Sequence, residues 1–96
     1  MNLRKAARGR PCQIRIPGVC NHNAETSVLA HYRHHGFGGV AIKPPDLLAA
    51  IACSDCHDAV DRRRHTHLDY DFVRACHAEG VLRTINLWVR EGFVRW

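Results

Sequence analysis

IACSDCHDAVDRRR, residues 51–64, is the stretch on which the fold turns. Cys53 and Cys56 are separated by two residues, the gap that lets both thiolates face one tetrahedral ion from a tight turn. His57 follows at once, where a helix is predicted to begin. Asp61 lies four residues further on, on the same helical face, so it suits either a second ligand or a group that orients the imidazole. Arg62, Arg63 and Arg64 then supply charge that can reach phosphate.

A second cysteine pair stands upstream, in the segment CQIRIPGVC from Cys12 to Cys20. Ile14 and Ile16 alternate with polar residues and Pro17-Gly18 signals a turn, so a short strand entering a tight loop is predicted there. Together the pairs make a split four-cysteine site for a structural zinc, Cys12, Cys20, Cys53 and Cys56, clamping the N-terminal loop onto the start of a helix. A chain of 96 residues gains from such a cross-link, because its core is small. Independent buried thiols are one alternative. A thioredoxin-like redox pair is another, but it calls for a βαβ pattern that does not surround this motif. Cys76 has no partner spacing and reads as a small core residue.

Around these motifs the chain reads as one α+β domain. VLAHY, residues 28–32, has the character of a second short strand, and RHHGFGGVAIKPPD should be a loop. Asp46 is placed to cap a short helix over LLAAIA. A further helix over LDYDFVRACHAEG should end at Gly80, and a last one, with Val81, Leu82, Ile85, Trp88 and Val89 at helical spacing, should stop at Gly92. The divisions are a basic N-terminal arm or short helix (1–11), a zinc-centred core (12–64) and C-terminal helices (65–96).

The net charge is +5, and the fourteen cationic residues are mostly arginine, whose planar fork matches phosphate. Arg4, Lys5, Arg8 and Arg10 in the arm, with Arg62, Arg63 and Arg64, are the candidate nucleic-acid contacts, and DNA is the expected partner. No apolar run approaches the roughly 20 residues that span a bilayer, and the N-terminus has no secretory pattern, so no membrane association and a cytoplasmic location are expected. His31 closes the second predicted strand and His57 opens a helix. Facing each other beside one zinc, they suit metal-assisted hydrolysis of a phosphodiester. His22, His65, His67 and His77 read as ordinary surface residues, and His34 and His35 share a loop with His31.

A cysteine pair, "AH" at a strand end, "GFGG", and then "PPDLLAAIACSDCH" resembles the HNH, or ββα-metal, endonuclease pattern. Over nearly its full length, from "MNLRKAARGR" through "RIPGVCN" and "IKPPDL" to "CHDAVDRR", the chain resembles small prophage-encoded nucleases of the YbcO type, and more distantly recombination-dependent nucleases of the Ref type. The resemblance implies an HNH-like zinc-stabilised domain, with His31 as general base and His57 as ligand of a catalytic Mg²⁺ or Mn²⁺. Asp46 falls where the motif's middle Asn usually stands and positions the loop bearing the base. Ala30 stands where many HNH enzymes carry an acidic ligand, which leaves His34, His35 or Asp61 to complete the cation's coordination, or water. The second reading is a non-catalytic zinc-stabilised nucleic-acid-binding accessory of phage recombination, with a phage or host recombination protein as partner. A third is a protein-interaction domain in which the C-terminal apolar stripe ending WVREGFVRW forms a homodimer surface.

Overall fold

Two four-residue strands set the frame. The computed structural model describes residues 2–33 and 45–94. Strand β1 (Val28–His31) runs antiparallel to β2 (Ala49–Ala52), with Leu29 opposite Ile51, Ala30 opposite Ala50 and His31 opposite Ala49. Around them, among the described residues, lie α1 (Leu3–Ala7), α2 (Ser54–Val60) and α3 (Tyr70–Arg90), with 3-10 turns at Ala24–Thr26 and Asp46–Leu48. The α+β reading holds, as a two-stranded sheet with helices around it. No described helix is long and apolar enough to cross a membrane.

The partner of β1 is not the one expected. Residues 12–20 form no strand: Arg15 and Gly18 adopt left-handed backbone (φ 55° and 72°), which bends the segment back on itself. Its one sheet-like bond runs from the Gln13 N–H to the Ile51 carbonyl at 2.7 Å. The partner comes instead from LLAAIA, read from sequence as a helix. Alanine and leucine favour helices, but six residues cannot sustain one alone, and pairing with β1 decides the outcome. The expected Asp46 cap shrinks to a single 3-10 turn, after which all four β2 residues are buried.

Strand alternation sorts the core into two layers. Leu29, Ala49 and Ile51 pack with Ala7 of α1 and Trp88 of α3. Ala30, Ala50 and Ala52 pack on the other side with Ile14, Ile16, the cysteines and Val60 of α2. The outer edge of β2 is closed by groups that are not strands. The Thr84 hydroxyl accepts the Ile51 N–H at 3.0 Å and donates to the Gly80 carbonyl at 2.8 Å.

Helix α3 runs unbroken through Gly80, contrary to the expected break. A Cβ there would lie 3.0 Å from the Gln13 oxygen and from Ile14 Cα and Cγ1, so this glycine lets the 12–16 segment lie against the helix. The expected stop at Gly92 is real. With φ at 78°, it closes a Schellman turn in which Gly92 N–H bonds the Val89 carbonyl and Phe93 N–H the Trp88 carbonyl.

Candidate functional site

The bent 12–20 segment and the start of α2 bring four sulfurs together. One Sγ from each of Cys12, Cys20, Cys53 and Cys56 lies within 4.8 Å of all the others. A tetrahedral zinc with Zn–S of about 2.3 Å holds its sulfurs about 3.8 Å apart, and Cys53 and Cys20 are 3.8 Å apart. Backbone amides point at the cluster: Arg15 N–H to Cys12, Asn21 N–H to Cys53, and Cys56 N–H to Cys53, which caps α2. The Cys56 thiol hydrogen-bonds Cys12, pulling Cys12 down to about 4 and pushing Cys56 well up. Burial pushes Cys20 up to about 11. A divalent cation at the centre would favour the ionised form of the thiols. The four thiols could hold a metal such as zinc. Cys76 is half-buried and packs against the core as expected.

Beside this cluster the ends of β1 and α2 flank a cleft of about 400 Å³, lined by Arg4, Arg8, Val28, Leu29, His31, Arg33, His57, Asp61 and Arg63. His31 ends β1 and is nearly buried, with Nε2 2.7 Å from Asp46 Oδ1. Asp46 sits on the 3-10 turn that leads into β2, so strand pairing sets this contact. The His31 bond holds the Asp46 carboxyl below the usual carboxylate range, aided by Arg4, whose Nε is 3.3 Å away. An ionised Asp46 takes the Nε2–H and leaves Nδ1 as the ring's basic nitrogen.

His57 lies one turn into α2, with Nε2 3.2 Å from Asp61 Oδ2. Arg63 reaches His57 Nδ1 at 3.3 Å, Asp61 Oδ2 at 3.2 Å and Asp58 Oδ1 at 3.4 Å. An arginine can only donate, so the contact makes Nδ1 the acceptor and directs the Nε2–H toward Asp61. Burial lowers the His57 pKa, outweighing Asp61, and so favours the neutral imidazole. With Nδ1 facing Arg63 and Nε2–H facing Asp61, a cation would have to take the place of one of these partners to reach the ring. His57 and Asp61 are two donors of the kind that bind divalent cations. Among the described residues the only set of three or more close ligands is the cysteine cluster.

Ala30, which the sequence resemblance sets where an acidic ligand often stands, is fully buried, and its carbonyl accepts from His77 Nε2 at 2.9 Å. His77 was expected at the surface. It is instead buried on the face of α3 that meets β1, and burial lowers its pKa. Its ring meets Tyr32 edge-on, and Arg74 lies over the other part of that pair, bonding the Tyr32 hydroxyl and the Arg33 carbonyl. One face of α3 thus grips both flanks of His31. The signal was present as helical spacing, since His77 lies four residues from Val73 and from Val81, both buried.

The remaining basic residues divide. Arg4, Arg8 and Arg63 line the cleft, together with Arg33, which sequence reasoning overlooked. Lys5 is exposed on α1. Arg10 makes a bidentate pair with Glu91 and lies over Trp88, 5.0 Å from the ring centroid, a pairing that ties α1 to the end of α3. Arg64 pairs with Asp55 at 2.7 Å, and Arg62 stacks on Tyr70. His34 and His35 lie outside the described residues.

Comparison with known proteins agrees with this architecture. The model of a protein family described as "Putative nuclease YbcO" matches residues 1–93. Two curated proteins of that name, from Escherichia coli (strain K12) and from Enterobacteria phage 82, are each 57% identical over 94 residues, covering 98% of this chain and 97% of theirs. A solved structure titled "Structure of a putative bacteriophage protein from Escherichia coli str. K-12 substr. MG1655" is similar with a TM-score of 0.81. It is 56% identical, with 95% of this chain and all of that one covered.

Proposed function

The chain belongs to the YbcO family, and from that premise we propose that it is a metal-dependent endonuclease of the HNH type, hydrolysing DNA phosphodiester bonds. The observation that carries the proposal is the shared cleft: a carboxylate-paired histidine and a carboxylate-paired neutral histidine line one cavity ringed by Arg4, Arg8, Arg33 and Arg63. The chain order β1, β2, α2 agrees with the ββα arrangement that the HNH resemblance implies.

In this mechanism His31 takes a proton from the attacking water through Nδ1, while Asp46 holds the ring's tautomer and steadies the imidazolium that forms. His57 and Asp61 would hold a Mg²⁺ or Mn²⁺ ion in place of the hydrogen bond between them, and the ion would supply Lewis-acid stabilisation of the phosphate's developing charge. Before the cation binds, Arg63 holds both side chains at the cleft. Arg4, Arg8 and Arg33 grip flanking phosphates, which gives affinity with little sequence choice. The cysteines would hold zinc away from the chemistry, and so lock the start of α2, and with it His57, against the N-terminal loop.

The test is plasmid nicking with Mg²⁺ or Mn²⁺ by the parent protein and by His31→Ala. Cleavage should vanish in the variant while zinc content and melting temperature stay unchanged. Equal nicking by both would remove His31 from the mechanism. Salt-sensitive DNA binding with no cleavage under any divalent ion would favour the accessory-protein reading, which needs the cysteines and arginines but neither histidine.

A further inference from the structure

A second basic cavity, of about 480 Å³, shares Arg63 with the histidine cleft. The two are joined by an intermediate depression that shares Arg33, Asp61 and Arg63 with the cleft and Arg62, Arg63 and Tyr70 with the second cavity. The second cavity's wall mixes basic and apolar side chains: Arg63, Arg64 and His65 line it together with an aromatic ring and aliphatic groups. Ala59, Leu68 and Val73 give it an apolar floor, and its rim is a stacked pair, the Arg62 guanidinium 3.6 Å from the centre of the Tyr70 ring. Tyr70 is itself held by its hydroxyl, which donates to the Val60 carbonyl at 3.3 Å.

Arg62 occupies its place at a cost. Helix α2 ends in the same Schellman turn as α3, with Arg62 N–H on the Ala59 carbonyl and Arg63 N–H on the Asp58 carbonyl. At the end of α3 the left-handed position is Gly92; at the end of α2 it is Arg62, with φ at 60°. Glycine fills that position without strain, and an arginine does not. The turn therefore needs no side chain here, and the guanidinium is the part that differs. Arg63 and Arg64 are paired with carboxylates, whereas the contact of Arg62 is the aromatic face.

We propose that Arg62 and Tyr70 form a stacking platform for one unpaired nucleobase, next to the phosphate held between His31 and His57. This rests on the nuclease reading and narrows its substrate to DNA with single-stranded character beside the scissile bond. A planar cation on an aromatic ring offers its outer face to a base, a common mode for unpaired nucleotides. The apolar floor and the stacked pair suit a base, while Arg63, Arg64 and His65 on the same lining suit the phosphate attached to it. A paired base cannot enter such a cavity without leaving its helix.

The test uses the His31→Ala protein, so that the probes are not cut, and measures binding of a fluorescent single-stranded oligonucleotide and of its duplex. On that background Arg62→Gly and Tyr70→Ala should each weaken single-strand binding about 5- to 100-fold, with duplex binding changed less than about twofold. Tyr70→Phe should keep single-strand affinity, and Arg62→Gly should melt no lower than its parent. The platform is refuted if Arg62→Gly leaves single-strand binding intact, if it weakens both probes equally, or if it lowers the melting temperature. Nicking by the wild-type protein alongside any of those results keeps the nuclease reading. Failure of the parent to bind either probe removes both.

Discussion

Replacing His77 with phenylalanine tests how the strand that carries His31 is held. The new ring fills the same space against Tyr32, whose centroid is 5.0 Å from that of His77, so little volume is lost. What disappears is the Nε2–H that donates to the Ala30 carbonyl at 2.9 Å. Ala30 faces Ala50 across the sheet, so its oxygen is left under-satisfied rather than orphaned. Losing one such bond costs about 1 kcal/mol, and in a domain of this size that lowers the melting temperature by about 4–8 °C. The deficit should shrink with acidification. Burial holds the His77 pKa below the ordinary value of 6.5. Above that pH the folded and unfolded chains are both neutral here. As pH falls through it, the unfolded chain takes up a proton that the folded one refuses, which removes stability by up to about 1.4 kcal/mol per pH unit. The phenylalanine variant escapes this loss. Thermal melts of zinc-loaded protein by circular dichroism, from pH 8 to pH 5.5, should show the two curves converging. Equal melting temperatures at pH 7.5, or a gap that stays constant with pH, would refute the reasoning.

Asp46→Asn should cut nicking about a hundredfold or more, because an amide no longer enforces the Nε2–H tautomer of His31; zinc content, read by atomic absorption, should not change. Gly80→Ala gains about 1 kcal/mol of helix propensity, but it drives a methyl to 3.0 Å from the backbone of Gln13 and Ile14. The net effect should be a lower melting temperature, with faster zinc loss to a chelator because Cys12 is on the displaced segment. Cys12→Ser should abolish stoichiometric zinc and collapse the melting transition, whereas Cys76→Ser should retain both; equal zinc in the two variants would disprove the four-sulfur site.

Much of the candidate site could be read from short-range patterns. The spacing of Cys53 and Cys56 and the turn at Pro17-Gly18 announce two sulfur pairs, and the structure brings all four sulfurs within 4.8 Å of one another. His31 and His57 were singled out by their positions at element ends, and both line the cleft. The failures came where distant packing overrides local preference. Residues 47–52 have a helical composition, and only pairing with β1 makes four of them a strand. The alternation of Ile14 and Ile16 reflects two side chains buried in one core layer from a bent loop rather than a strand. Gly80 looks like a helix terminator in one dimension, since the backbone it must clear lies 66 residues earlier, at Ile14. For His77, helical spacing with Val73 and Val81 marks a buried position, but nothing local identifies its partner, a carbonyl on another element.

The way β2 is finished has a consequence for biogenesis. A bare strand border is a template for sticking to other chains, and here its amide at Ile51 is quenched by a hydroxyl that is synthesised 33 residues later. Until Thr84 has emerged and α3 has docked, the nascent sheet keeps one adhesive rim. Trimming the gene before that codon should therefore yield insoluble material rather than a smaller working domain.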